Sequence, residues 1–225
     1  MQRHAQLANA IYAIGEMAIA CPLHCEGIVN DPSTGTLPRS LILELDGRSQ
    51  EGGSVVLGIN PGHGREVEKS YYLDHGNTYE SLLQFWKIRQ EKPHPYHLRT
   101  KRFLTDIGLD GPILWTELAK CESSALFRGM LPLQTIRTCI DRYLMQEIAP
   151  VPHEWPIVAL GRKPFELSTM LFRDRRVLGI PHPTGSRGNF DHLLDEENRV
   201  AASVRAKVAS FLQSSSPIAL WVTTG

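Results

Sequence analysis

Four cysteines are the residues whose type and spacing first suggest chemistry. Cys21 and Cys25 enclose the tripeptide Pro-Leu-His, and Cys121 and Cys139 follow much later in the chain. Thiolates bind zinc and iron–sulfur clusters, so the first pair can present two ligands to a metal site that the second pair closes, with His24 as an alternative zinc ligand. The other interpretation is four unrelated core residues, because free cysteine is often buried. Disulfides are not expected in a cytosolic chain.

Three loops carry the other side chains that could do chemistry. One is Asn60-Pro-Gly-His-Gly64, a second covers residues 117–121, and the third begins at Pro181-His-Pro-Thr-Gly and extends to about residue 190. Each follows an apolar run, and glycine lets a backbone approach a bound molecule closely. We therefore expect the functional residues to lie in these loops.

The elements that position the loops can be read from hydrophobic spacing. Four apolar runs predict buried strands, at 54–59, 112–116, 157–160 and 176–180, and residues 41–45 predict a short edge segment. Helices are predicted at 4–20, 78–91, 95–107, 132–148, from about 163, and over 193–212. This alternation predicts an α/β fold, a three-layer α/β/α sandwich around a central, mostly parallel four-stranded sheet. Ligands of such folds bind beyond the carboxyl ends of the strands, where the three loops lie.

Composition limits the class of protein. The 225 residues are 42% hydrophobic and 21% charged, as in an ordinary globular protein, and no apolar run is long enough to span a membrane. We expect a cytoplasmic monomer with one domain over 1–213 and a C-terminal tail over 214–225. The 24 basic residues equal the 24 acidic ones, so any contact with nucleic acid must be local.

Two of the loops resemble the signature motifs of the uracil-DNA glycosylase superfamily. The first motif is Gly58-Ile-Asn-Pro-Gly62 and the second is His182-Pro-Thr-Gly-Ser186, about 120 residues later. Their order, separation and placement after strands carry the resemblance. It implies a glycosylase-like fold and a DNA substrate whose target base is rotated out of the helix.

The cysteines resemble those of the iron–sulfur branch of this superfamily. That branch has an N-terminal cysteine pair, a strand ending Thr-Asn-x-x-Lys-Cys and a fourth cysteine in the next helix, and Thr116-Glu-Leu-Ala-Lys-Cys121 and Cys139 occupy the later positions. The resemblance implies a [4Fe–4S] cluster held by all four cysteines. The extra residue between Cys21 and Cys25 departs from the pattern and leaves zinc, or no metal, as the alternative.

The resemblance also implies roles for individual residues. His182 would donate a hydrogen bond to the departing base, and Asn60 would orient the attacking water. Tyr71 or Tyr72 would stack on the base where the family has phenylalanine, although either could be a core tyrosine. Arg187 stands where the family inserts an apolar side chain into the DNA. The other residues expected to contact the substrate are Gly58, Ile59, Pro61, Gly62, Pro183, Thr184, Gly185 and Ser186.

Glu117 stands where the iron–sulfur enzymes have the asparagine that reads uracil. An ionised carboxylate only accepts hydrogen bonds, so it would oppose O4 of uracil and suit the N4 amino group of cytosine. This predicts a modified cytosine, such as the glucosylated 5-hydroxymethylcytosine of phage DNA, as the excised base. The alternatives are that Glu117 is protonated or pairs with Lys120 and the enzyme removes uracil in repair, that the protein reads altered bases without catalysis or by covalent capture, or that it hydrolyses free nucleosides.

Overall fold

The computed structural model describes residues 2–46, 52–127, 130–185, 189–214 and 218–223. The chain forms two compact units, each assembled from three separate stretches. Unit 1 comprises Met1–Leu43, Ile59–Lys92 and Trp115–Val151, and unit 2 comprises Glu44–Gly58, Pro93–Leu114 and Pro152–Gly225. The class is α/β, as the sequence predicts.

A six-stranded sheet is the main β-structure. Its strands are β2 (Ile42–Glu44), β3 (Ser54–Gly58), β4 (Ile113–Glu117), β6 (Ile157–Leu160), β7 (Val177–Ile180) and β8 (Ala219–Trp221), in the order β2-β4-β3-β6-β7-β8. β3, β6, β7 and β8 are mutually parallel, with Leu57 opposite Ala159 and Leu160 opposite Ile180. Asn60 and His182 each follow the carboxyl end of one of these parallel strands.

The sheet has two strands more than the four predicted. β2 is the predicted edge segment, whereas β8 lies in the residues assigned to a C-terminal tail. Residues 219–221 belong to the sheet, because Trp221 lies opposite Gly179 in the parallel ladder and packs on Phe165 at a ring-centroid distance of 5.3 Å. Gly179 has no side chain there, and an added Cβ would lie 2.4 Å from each of those rings.

Unit 1 contains most of the helices. They are α1 (Gln2–Ile19), α2 (Glu66–His75), α3 (Tyr79–Gln90), α5 (Leu133–Cys139) and α6 (Met145–Ile148), with a π-helical stretch over Ile140–Leu144 between the last two. Leu7, Ile11, Ile14 and Ala18 are buried on one face of α1, as their spacing predicts. A short antiparallel ribbon joins β1 (Ile28–Val29) to β5 (Glu122–Ser123).

Unit 2 contains α4 (Pro95–Asp106), α7 (Arg162–Leu171) and α8 (Ala202–Gln213). The helix predicted over 193–212 is wrong in its first half. Asn198 has a φ of 57°, which an α-helix does not allow, and the Asp195 carboxylate accepts from the backbone N–H groups of Glu197 and Arg199. α8 therefore begins only at Ala202.

Candidate functional site

The Asn60 loop in unit 1 begins directly after β3. Asn60 is partly exposed, and its Nδ2 donates to the carbonyl of Pro61 at 3.0 Å. Within the described part of the chain, no hydrogen bond to its Oδ1 is found, so this oxygen can accept from a water molecule. Pro61 is buried and Gly62 is exposed, with open space where a Cβ would stand. Gly58 is buried as the last residue of β3, and Ile59 is partly exposed.

His182 in unit 2 follows β7 and is held in one orientation. Its Nδ1 accepts from the backbone N–H of Thr184 at 3.4 Å, and its ring lies 5.2 Å from that of Tyr96. Gly185 lies close beside the imidazole, because a Cβ there would be 3.1 Å from Nδ1. Burial lowers the pKa of His182. The side chain is therefore a neutral imidazole with its hydrogen on Nε2, which is a hydrogen-bond donor.

The other residues of the second motif differ in exposure. Pro183 is buried, whereas Thr184 and Gly185 are exposed. Ser186 and Arg187 lie outside the described residues.

Tyr71 and Tyr72 lie on helix α2, a helix that the sequence analysis did not predict. Successive residues of a helix point about 100° apart, so one ring can be buried while the next is partly exposed. Tyr72 is buried and its hydroxyl donates to Glu68 at 3.2 Å, which makes it a core residue of unit 1. Tyr71 is partly exposed and stacks on His75 at 4.0 Å. Of the two rings, that of Tyr71 is the more exposed.

Glu117 is the last residue of β4, and its side chain lies in a largely buried environment. Next to it, the Lys120 ammonium donates to the backbone carbonyl of Glu117 at 2.5 Å and to Thr116 Oγ1 at 2.6 Å. Lys120 forms its ion pair with Glu147 at 2.8 Å. Sequence reasoning missed Glu147, because a single glutamate in a helix gives no signal that it is buried.

The four cysteines belong to unit 1 and are free thiols. Cys121 and Cys139 are buried, and Cys21 and Cys25 are partly exposed. Burial raises the pKa of Cys121, and the thiols of Cys139, Cys21 and Cys25 raise it further. Burial also raises the pKa of Cys139, against the opposing effect of a hydrogen bond from the Lys120 backbone N–H.

The fit of this thiol group to a metal depends on the spacing of its sulfurs. In the described residues, no three histidine, cysteine or acidic side chains are grouped as they would be around one metal ion. Tetrahedral zinc, with bonds of about 2.3 Å to sulfur, needs sulfurs about 3.8 Å apart. A [4Fe–4S] cluster takes four cysteine thiolates at its outer corners and spaces them more widely. The chemistry of the donor set, four cysteine thiols, suits either group.

A charge network around Glu122 was not anticipated from the sequence. Glu122 Oε2 accepts from the backbone N–H of Gly64 at 2.7 Å and from Arg39 Nη2 at 2.9 Å, and Lys69 Nζ is 3.8 Å from Oε1. Burial alone would raise the pKa of Glu122, but the hydrogen bond from Gly64 and the Arg39 guanidinium bring it below its ordinary value. The network ties the Asn60 loop to β5. Partners 58 and 83 residues apart give no local signal in a sequence.

The chain matches no protein-family model, no curated protein and no solved structure in these three comparisons. Over the described ranges, none of the helices combines the length and apolar character needed to cross a membrane.

Proposed function

We propose that the protein is a DNA glycosylase that excises a modified cytosine and leaves an abasic site. The observation that carries the proposal is the state of His182: a neutral imidazole whose Nδ1 accepts from the backbone N–H of Thr184, which places the ring hydrogen on Nε2. The proposal includes the fold that the Asn60 and His182 motifs imply, a three-layer α/β/α sandwich like that of the uracil-DNA glycosylase superfamily.

The proposed reaction needs two groups from the chain. As the bond between the sugar C1′ and the base nitrogen breaks, negative charge develops on the base, and the Nε2–H of His182 stabilises it at O2. Water then adds to C1′, its oxygen becomes the new hydroxyl of the sugar, and its proton neutralises the released base. Asn60 orients this water through Oδ1, since a carboxamide accepts a hydrogen bond without removing the proton efficiently.

Glu117 is the proposed reader of the base. A largely buried carboxylate that faces the N4 amino group of cytosine gains a hydrogen bond, whereas O4 of uracil would leave two acceptors opposed. An unmatched buried acceptor costs about 1–3 kcal/mol, which corresponds to a preference of about fivefold to 150-fold. Unmodified cytosine is abundant in DNA, so the proposal requires a modification, and glucosylated 5-hydroxymethylcytosine of phage DNA is our first candidate. The enzyme would then serve antiviral defence.

We also infer that Cys21, Cys25, Cys121 and Cys139 hold a [4Fe–4S] cluster, with zinc as the alternative. When bound, the cluster would cross-link the N-terminal segment to the segments that carry Cys121 and Cys139. The free thiols, their mutual effect on the pKa of Cys121, and the Lys120 N–H bond to Cys139 support this inference. Iron and acid-labile sulfide should be present in anaerobically purified protein, and a colourless, zinc-loaded, fully active protein would contradict it.

The test of function is base release from DNA containing uracil, cytosine, 5-hydroxymethylcytosine or its glucosylated form. We expect release of a modified cytosine only, and loss of release in Asn60→Ala and in His182→Ala. The variant Glu117→Asn, which restores an amide donor, should gain release of uracil. Release of uracil by the unaltered protein would overturn the role of Glu117, and no release from any DNA would overturn the enzymatic proposal.

A further inference from the structure

The Asn60 loop is bonded at both ends to one short segment of the chain, residues 119–122. At its start, the carbonyl of Ile59 accepts from the backbone N–H of Ala119 at 3.0 Å. At its end, the backbone N–H of Gly64 donates to Glu122 Oε2 at 2.7 Å. Residues 59–65 between β3 and α2 form neither helix nor strand, so these bonds fix a loop that has no regular structure.

Arg39 binds the same loop and the same segment. Its backbone N–H donates to the carbonyl of Lys120 at 2.7 Å, and its Nη2 donates both to Glu122 and to the carbonyl of Gly62. Only 9% of its side chain is exposed. The guanidinium lies directly against the loop, because a Cβ at Gly64 would be 3.1 Å from Nη1. The Asn60 loop is therefore bonded to two side chains that are almost fully buried, those of Arg39 and Glu122.

Glu122 is suited to fixing the Asn60 loop because both its side chain and its backbone are held in place. Its side chain is 4% exposed, and a buried carboxylate must keep its donors. Its backbone is fixed as well, since Glu122 is opposite Val29 in the antiparallel ribbon of β1 and β5.

Both strands of this ribbon begin close to cysteines. β5 starts directly after Cys121, and β1 starts three residues after Cys25. The position of Glu122 therefore depends on the site that the thiols form. Because Glu122 directly follows Cys121, a displacement of Cys121 would also displace the Glu122 carboxylate that accepts from the Gly64 N–H.

We propose that Glu122 and Arg39 are positioning residues that fix the Asn60 loop, and that the four-cysteine site sets the geometry of this loop through the Cys121-Glu122 peptide. The catalytic consequence rests on the proposed function, in which Asn60 orients water. The structural consequence, an ordered Gly64 amide, does not require any substrate.

The first experiment compares Glu122→Gln with the matched control Lys69→Met. Glutamine keeps the shape of the side chain but turns an amide group toward the Arg39 guanidinium, whereas Lys69→Met removes a charge that faces Glu122 without touching the loop. Hydrogen exchange of the Gly64 amide, followed by NMR or by mass spectrometry of peptides over 59–65, should be about tenfold faster or more in Glu122→Gln and unchanged in the control. Base release should show a lower kcat with an unchanged KM.

Arg39→Met is a second variant, in which the Glu122 bond to Gly64 remains but the bond to Gly62 is lost. It should give an intermediate rise in exchange over the same peptide. Equal exchange in Glu122→Gln, Arg39→Met and the unaltered protein would overturn the positioning role. Equal acceleration in Lys69→Met would also overturn it, because the effect would then be one of general stability.

Cys121→Ser tests the link to the thiols. We expect loss of bound metal together with faster exchange at Gly64, while amides of α8, far away in sequence, keep their protection. Loss of metal with unchanged exchange at Gly64 would overturn the link. If the protein released no base from any DNA, the exchange data would still decide this proposal, so its failure and that of the proposed function are distinguishable.

Discussion

Replacing Lys120 by methionine should destabilise the protein by about 3–5 kcal/mol at pH 7. The Lys120 and Glu147 side chains are 1% and 0% exposed, and Glu147 Oε2 also accepts from Thr116 Oγ1 at 2.5 Å. No hydrogen-bond partner for Glu147 Oε1 is found among the described residues. Without the ammonium, Thr116 is the one donor left to the buried carboxylate within the described part of the chain.

The magnitude follows from leaving one charge of a buried ion pair without its partner. Losing one partner of such a pair typically costs about 3–5 kcal/mol, because the remaining charge stays buried and uncompensated.

The assay is urea unfolding at pH 7 followed by tryptophan fluorescence, with metal content measured in each preparation. The double variant Lys120→Met/Glu147→Leu, which removes both charges, should recover most of the loss. A free-energy loss below about 1 kcal/mol in Lys120→Met, or a double variant as unstable as the single one, would refute the reasoning.

Three further outcomes are expected. The pKa of His182, followed by NMR, should lie below its ordinary 6.5, and Tyr96→Ala should raise it by exposing the ring; a pKa at or above 6.5 in the unaltered protein would contradict the neutral donor. Gly179→Ala should lower the free energy of unfolding by about 1–3 kcal/mol, because the new methyl group meets the ring of Trp221. The control is Gly108→Ala, where an added Cβ stands in open space but the backbone has a positive φ, so that any loss there reflects backbone strain alone. Cys121→Ser should lose iron and the associated visible absorbance, and retention of both would remove this residue from the ligand set.

The central strands could be predicted from the sequence because each is a short, continuous apolar run bounded by turn residues. β3, β4, β6 and β7 lie within two residues of their predicted bounds. Helix α2 was missed because its sequence is mostly polar and buries only Glu68 and Tyr72, too few residues to form an apolar stripe. β8 was missed because it follows a serine-rich stretch and is ordered by Trp221 packing on a distant helix.

The positions of two candidate site residues were predictable, because each lies shortly after a short apolar run that forms a strand. Asn60 and His182 stand in loops that follow β3 and β7, and their roles as acceptor and donor stay predictions. The contacts of Glu122 with Gly64 and of Lys120 with Glu147 join residues 58 and 27 apart in the chain. Such pairings depend on the tertiary fold, and no local pattern of spacing indicates them.

Because the stretches of the two units alternate along the sequence, they limit which segments of this chain can be exchanged with those of a homologous protein. Each unit is assembled from three stretches, and two of the boundaries fall inside strands, in β2 between Leu43 and Glu44 and in β4 between Leu114 and Trp115. No continuous segment of the gene therefore encodes either unit alone. Exchanging one contiguous block with a divergent homologue would bring foreign residues into one part of a unit while leaving its other stretches native. Recombination should thus succeed only where the separated stretches of a unit are exchanged together.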